Sequence, residues 1–252
     1  MSKISNLSES DYDYNCGPFV YDADDVITNI EKMSNNSNND AQHHKKNQLI
    51  VKERSSCENE SVSNVFTIAD VFNDAQCREI IDYVTKNSAL CKDERDLGYA
   101  INADYKVLDM KELVSRGVLG ASHIDELIFK CTNAILNAFR QSRFEFKGEQ
   151  DDGYILHRII GGGGGTNLQT YKTIYKNSST KFVPSLSIII ALNDDYDGGM
   201  FNFPNQNINL KLKKGEVILF PPYWTHPYSI SSIGEKQIRH TINTFILDKF
   251  ID

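Results

Sequence analysis

No part of the 252-residue chain is apolar for long enough to cross a membrane. The longest apolar runs, such as residues 188–192, fall far short of the ~20 residues a helical span requires. Basic charge is not in excess: 27 Lys and Arg stand against 34 Asp and Glu, a net charge of −7. That balance excludes a general affinity for nucleic acid or anionic membrane, which needs clustered cations. There is no C-x-x-C pair. The five cysteines (Cys16, Cys57, Cys77, Cys91 and Cys131) are odd in number and widely spaced, which points to reduced thiols in a cytosol-like compartment. Residues 1–6 lack the apolar core of a signal peptide, and Ser2 stands where myristoylation needs glycine. The expectation is a soluble, cytoplasmic protein. Several catalytic signatures are missing too. The glycine run at 161–165 has no Lys-Ser/Thr after it, no G-x-S-x-G occurs, and Asp194, Asp195 and Asp197 lack EF-hand spacing.

Two kinds of sequence are present. Residues 1–62 are rich in Ser, Asn, Asp, Glu and Lys, with a low-complexity stretch from Met33 to Asp40. Such a segment cannot bury enough apolar surface to offset an ordering cost of roughly 1–2 kcal/mol per residue. We read it as a disordered or loosely attached arm. The remainder, 63–252, reads as one domain, with helical support over 63–150 and a β-barrel over 151–250. Residues 65–72 suit a strand. Asn73 with Gln76 then has capping-box spacing, and Cys77, Ile80, Ile81 and Val84 share one helical face. A second helix is expected from Ser122, with Ile124, Leu127, Ile128, Cys131, Ile135, Ala138 and Phe139 on its inner stripe. Residues 92–120 read as irregular.

From Gly153 onward the pattern changes to short β-rich runs at 154–160, 182–192, 200–203, 208–212, 216–220 and 238–247. Turn signals separate them. Closely spaced strands without intervening helices indicate a sandwich or barrel. The fold class is therefore α+β, with helices bracing a jelly-roll-like barrel.

The segment most suggestive of chemistry is 210–228, where a strand ends in Pro221 and Pro222, followed by Tyr223, Trp224 and then His226. An imidazole just past a strand end suits a metal ligand or base, or a rim histidine with a hydrogen-bonding role. Taken in order, residues 192–204 (with Asp197-Gly-Gly199), 212–222, His226 and 239–245 resemble the C-terminal half of the prolyl 4-hydroxylase-like iron(II)/2-oxoglutarate dioxygenases. The strand and helix at 65–84 resemble that family's N-terminal part.

The resemblance implies a double-stranded β-helix, a jelly-roll or cupin-like barrel. Iron(II) would be held by a His-x-Asp/Glu pair and a distal histidine, with 2-oxoglutarate beside it. His226 matches the distal metal ligand. Arg239, followed by Thr241, matches the residues that hold the far carboxylate of 2-oxoglutarate, and Lys236, ten residues after His226, is a rival for that role. The chain departs from the family at the first half of the triad. Gln169 stands where the histidine belongs and Tyr171 where the carboxylate belongs. His157 is a candidate displaced ligand or a structural histidine. His240, next to Arg239 on a strand, is expected to face the other way. No catalytic residue is assigned. Three readings follow: an inactive member serving as a binding module for a small acid or peptide, an active oxygenase acting on a peptide or small molecule through a non-standard metal site, and a structural or assembly protein.

Overall fold

The computed structural model describes residues 49–55, 62–93, 104–143, 145–161, 168, 175–177 and 180–250. Most of the expected arm, together with Gln169 and Tyr171, lies outside the described residues. The described elements all fall within one compact unit, Gln48–Asp252. In chain order they are β1 (Val51–Glu53), β2 (Phe66–Ile68), α1 (Asp74–Lys86), β3 (Lys92–Asp93), β4 (Asp104–Asp109), α2 (Met110–Ser115), α3 (Ala121–Ser142) and β5 (Gln150–Asp151), then β6 (Ile155–Ile160), β7 (Tyr175–Asn177), β8 (Thr180–Ala191), β9 (Phe201–Phe203), β10 (Ile208–Leu210), β11 (Val217–Phe220), β12 (Ser229–Ile230) and β13 (Ile238–Phe250).

The strands form two antiparallel sheets. The larger runs β1-β2-β11-β8-β13-β6-β4-β3, with β5 added on β13 and β7 on β8, and the smaller runs β10-β9-β12. Alternation along each strand decides what each face of the large sheet carries. On β13, Ile242 and Ile246 join Leu156, Ile188, Ile190, Val217 and Leu219 in the core shared with the helices. The intervening residues Arg239, Thr241 and Asn243 pair across the ladder with Ile159, His157 and Ile155 of β6 and so point to the opposite face. There Ile189, Ala191, Ile218 and Phe220 pack on Phe201, Phe203, Ile208 and Ile230 of the small sheet. The protein is thus α+β: helices cover one side of the large sheet, and the small sheet closes the other.

The helices form where the periodicity places them. At α1, Asn73 accepts from the Gln76 amide and Gln76 reaches back to the Asn73 amide, so the capping box is complete. The buried stripe of α3 includes Ile124, Ile128, Cys131, Ile135 and Phe139. Its start differs by one position from the expectation. Gly120, with φ +81, is the N-cap, and Ser122 lies inside the first turn. Long β8 accommodates Pro184 because the ladder to β13 shifts register between Ile246 and Leu247, a bulge where the missing N–H costs no ladder bond.

Two segments depart from the sequence reading. Order begins before 63, because β1 pairs with β2 residue for residue from Val51–Ile68 to Glu53–Phe66. The polar composition around β1 conceals a strand that gains its stability from the neighbouring edge. The 92–120 region, read as irregular, holds β3, β4 and α2. Tyr105 and Val107 alternate inward, but Leu108 and Met110 are buried as well. That blurs the period-2 signal at the point where strand passes into helix.

The turn into β11 depends on Gly215. Its φ is +76, and a Cβ there would overlap the Phe72 carbonyl oxygen. The Gly215 carbonyl in turn accepts from the Val71 and Phe72 amides, tying the start of α1 to the sheet. Gly215→Ala is expected to cost more than ~2 kcal/mol through the combined left-handed strain and backbone overlap, measured by urea unfolding. A loss below ~0.5 kcal/mol would show that this turn is not constrained as described.

Candidate functional site

Arg239 enters the barrel face at the start of β13. It is 3% exposed, and its Nε and Nη1 have no hydrogen-bond partner among the described residues. Lys236, its rival in the sequence, is exposed in the preceding turn with φ +60. The two are therefore not equivalent: the lysine stays in solvent and the guanidinium goes inside. Thr241, two residues on, is also buried, and its hydroxyl donates to Asn243 Oδ1 at 3.1 Å.

Polar aromatic groups surround the guanidinium. The ladder sets Tyr105, Ile159 and Arg239 in one cross-strand row, and Val107, His157 and Thr241 in the next. His157 is thus a diagonal neighbour of Arg239 on the same face, a spacing within reach of long side chains. Its Nδ1 is hydrogen-bonded to the Tyr105 hydroxyl. Burial first, and the Arg239 charge second, push His157 down from 6.5 to about 3, so the ring is neutral. Tyr196 completes the chamber, packed with Tyr105, Val107, Ile159 and Ile233. Its phenol is pushed up by burial, partly offset by Arg239. Lys211 lies 4.5 Å from the Tyr196 ring centre and donates to its backbone carbonyl. Gly199, with φ +67, leaves room for that ring.

His226 lies elsewhere. Phe220 pairs with Ser187, which pairs with Phe245. β11 therefore ends six residues along β13 from Arg239 (239 to 245), about 20 Å of strand, and His226 follows that end. It is 6% exposed, and both ring nitrogens are engaged. Nε2 donates to the Ser63 carbonyl at 2.9 Å, and Nδ1 accepts from the Thr225 hydroxyl at 2.8 Å. Burial holds its pKa below the ordinary value, with the Ser63 bond opposing. The surrounding loop is pinned as well: the Asn205 and Gln206 side-chain amides donate to the Thr225 carbonyl.

The structure thus brings Arg239 and Thr241 together with His157, Tyr105 and Tyr196, and leaves His226 at the other end of the barrel beside Ser63. His240 lies on the opposite face from Arg239, in a row with Arg158 and Lys106. It is 5% exposed and pushed down to about 4, chiefly by burial. Tyr105 and Tyr196 were missed in the sequence. Tyr105 sits in the stretch read as irregular, and Tyr196 among aspartates that mark a solvated turn. The buried guanidinium offers the planar, charged donor set that a carboxylate accepts from. Iron finds no comparable set among the described residues, because His226 already spends both nitrogens and no group of three His, Cys, Asp or Glu is placed to hold a metal.

Three buried neutral histidines give a definite pH dependence. His157, His226 and His240 are all held below 6.5. Their stability contribution is complete above the unfolded value and is lost as pH falls toward the folded values, because the unfolded chain takes protons that the native state refuses. The urea midpoint should fall between about pH 6.5 and 5, and His157→Gln or His240→Gln should flatten that fall. An unchanged midpoint across this window would contradict the neutral, buried assignments.

No family model matches the sequence, and neither does any curated protein. Solved structures do match. A prolyl hydroxylase from Trichoplax adhaerens, in complex with a hypoxia inducible factor oxygen degradation domain peptide fragment, superposes with TM-score 0.58 at 12% identity, covering 74% of this chain and 84% of that one. A viral collagen prolyl hydroxylase from Paramecium Bursaria Chlorella virus-1, in its 2OG complex, gives TM-score 0.50 at 14% identity, covering 73% and 96%. A prolyl-4-hydroxylase from Pseudomonas putida gives 0.50 at 14%, covering 73% and 91%. The two packed antiparallel sheets, the helical brace and these superpositions together show that the chain has the double-stranded β-helix fold of the prolyl 4-hydroxylase-like 2-oxoglutarate oxygenases.

Proposed function

We propose that this protein is a divergent member of that fold which binds a small carboxylic acid inside the barrel without a working iron centre. The observation carrying this reading is Arg239, a buried guanidinium with two nitrogens unpartnered among the described residues. A charge removed from water without a counter-charge is costly. A bound carboxylate, accepting bidentately from the planar guanidinium, removes that cost. Thr241 and the neutral His157–Tyr105 pair share its face of the sheet in the adjoining ladder rows and would orient the acid. 2-Oxoglutarate fits this chemistry, with its far carboxylate on Arg239 and Thr241.

The metal half of the reading rests on His226. Ligation through Nε2 would require release of the Ser63 carbonyl, and ligation through Nδ1 would require release of Thr225. Each release leaves a polar group to be satisfied again in a buried setting, at ~1–3 kcal/mol. The carbonyl oxygen or phenol that Gln169 and Tyr171 offer is a poor substitute for the nitrogen and carboxylate that favour iron(II).

Calorimetry with 2-oxoglutarate in the presence of chelator separates these statements. The protein is expected to bind the acid metal-free, and Arg239→Ala to weaken it by about 10-fold or more, the loss of a charge-assisted bidentate contact. Anaerobic addition of iron(II) to the complex is expected to give no metal-to-ligand charge-transfer band. Failure to bind any acid would overturn the binding reading. A band that disappears in His226→Ala would instead establish an oxygenase centre.

A further inference from the structure

A concave site lies away from Arg239. The large sheet's β1–β2 edge, the end of β10 and the turn before β11 enclose about 530 Å³, within the range of small-molecule sites. Its lining brings five cations (Lys52, Arg54, Lys211, Lys213 and Lys214) against three carboxylates, Asp70, Asp194 and Glu216. With Asp74, which pairs with Lys214, counted in, a surplus of one positive charge remains, local to a chain whose net charge is −7.

The floor is fixed before any ligand arrives. Arg54 donates from Nε to Thr67 Oγ1 at 2.8 Å and from Nη2 to Glu216 at 3.0 Å. Glu216 also accepts from the Lys213 amide at 3.0 Å. Lys211 is held on the carbonyl and ring of Tyr196. These positions have already lost their side-chain entropy, so a ligand meeting them need not supply it. At the rim, Lys214 pairs with Asp74 at 2.7 Å. Lys52 and Lys213 are exposed and have no ion-pair partner among the described residues.

We propose that this groove binds a phosphate-bearing small molecule. Ammonium groups distributed around a concavity act as separate point charges. A compact, multiply charged anion can meet several of them at once, whereas a lone carboxylate meets one or two. The fixed Arg54 guanidinium contributes a planar donor of the kind that phosphate oxygens accept from. Leu210 and Ala69 in the same lining give an organic portion an apolar contact.

The test uses inorganic pyrophosphate and the full chain, by calorimetry at low and physiological salt. Lys52→Gln with Lys213→Gln removes two rim charges that take no part in the packing. The wild-type chain is expected to bind pyrophosphate, more weakly at higher salt, and the double variant about tenfold more weakly. Arg239→Ala is expected to bind it as the wild type does. Undiminished binding by the double variant, or loss in Arg239→Ala, would overturn the assignment. So would the absence of pyrophosphate binding, including the case in which the chain co-sediments with anionic phospholipid vesicles instead.

Discussion

A positive charge sits inside this barrel with too few partners. Arg239 is as buried as the isoleucines around it, yet two of its nitrogens face no acceptor among the described residues. Folding can place a guanidinium there only because the surrounding elements fix it. The ladder to β6 sets its row, and Tyr105, His157 and Tyr196 supply a polar but uncharged wall. The neutrality of His157 follows from the same arrangement: burial disfavours the protonated ring first, and the Arg239 charge beside it adds to that. The guanidinium thus stands beside neutral groups with two nitrogens unmet among the described residues.

The other end of the barrel follows the opposite logic. His226 is buried with every hydrogen-bonding group satisfied. It joins the loop after β11 to the segment before β2, which is 163 positions away in sequence. Ser63 itself is held by Arg54 and Glu53, so the histidine closes a strap that helps pin β1 and β2 to the sheet. An imidazole engaged in this way contributes to the fold.

Much of this was legible in the residues. The capping box at Asn73 and Gln76, the apolar stripes of α1 and α3 and the spacing of the later strands each follow from local chemistry that tertiary contacts reinforce. The choice between Arg239 and Lys236 was not legible, because either spacing was acceptable until the turn at 234–237 put one side chain in solvent. Neither was the Ser63 contact, because no local pattern encodes a hydrogen bond across 163 positions. β1 was hidden for a related reason: a three-residue strand of mostly polar composition is specified by the edge it joins. Tyr196 was obscured by the aspartates flanking it, which speak for a solvated turn while the ring between them is buried.

If the buried guanidinium is kept for a ligand and contributes nothing to cohesion, stability and binding should respond to its removal in opposite directions. Arg239→Met keeps the volume and removes the charge. Its thermal midpoint, measured without ligand alongside 2-oxoglutarate binding, is the most direct measurement. The account predicts an equal or higher midpoint together with loss of acid binding. A clearly lower midpoint with binding retained would contradict it, since Arg239 would then be a structural charge paired within the protein.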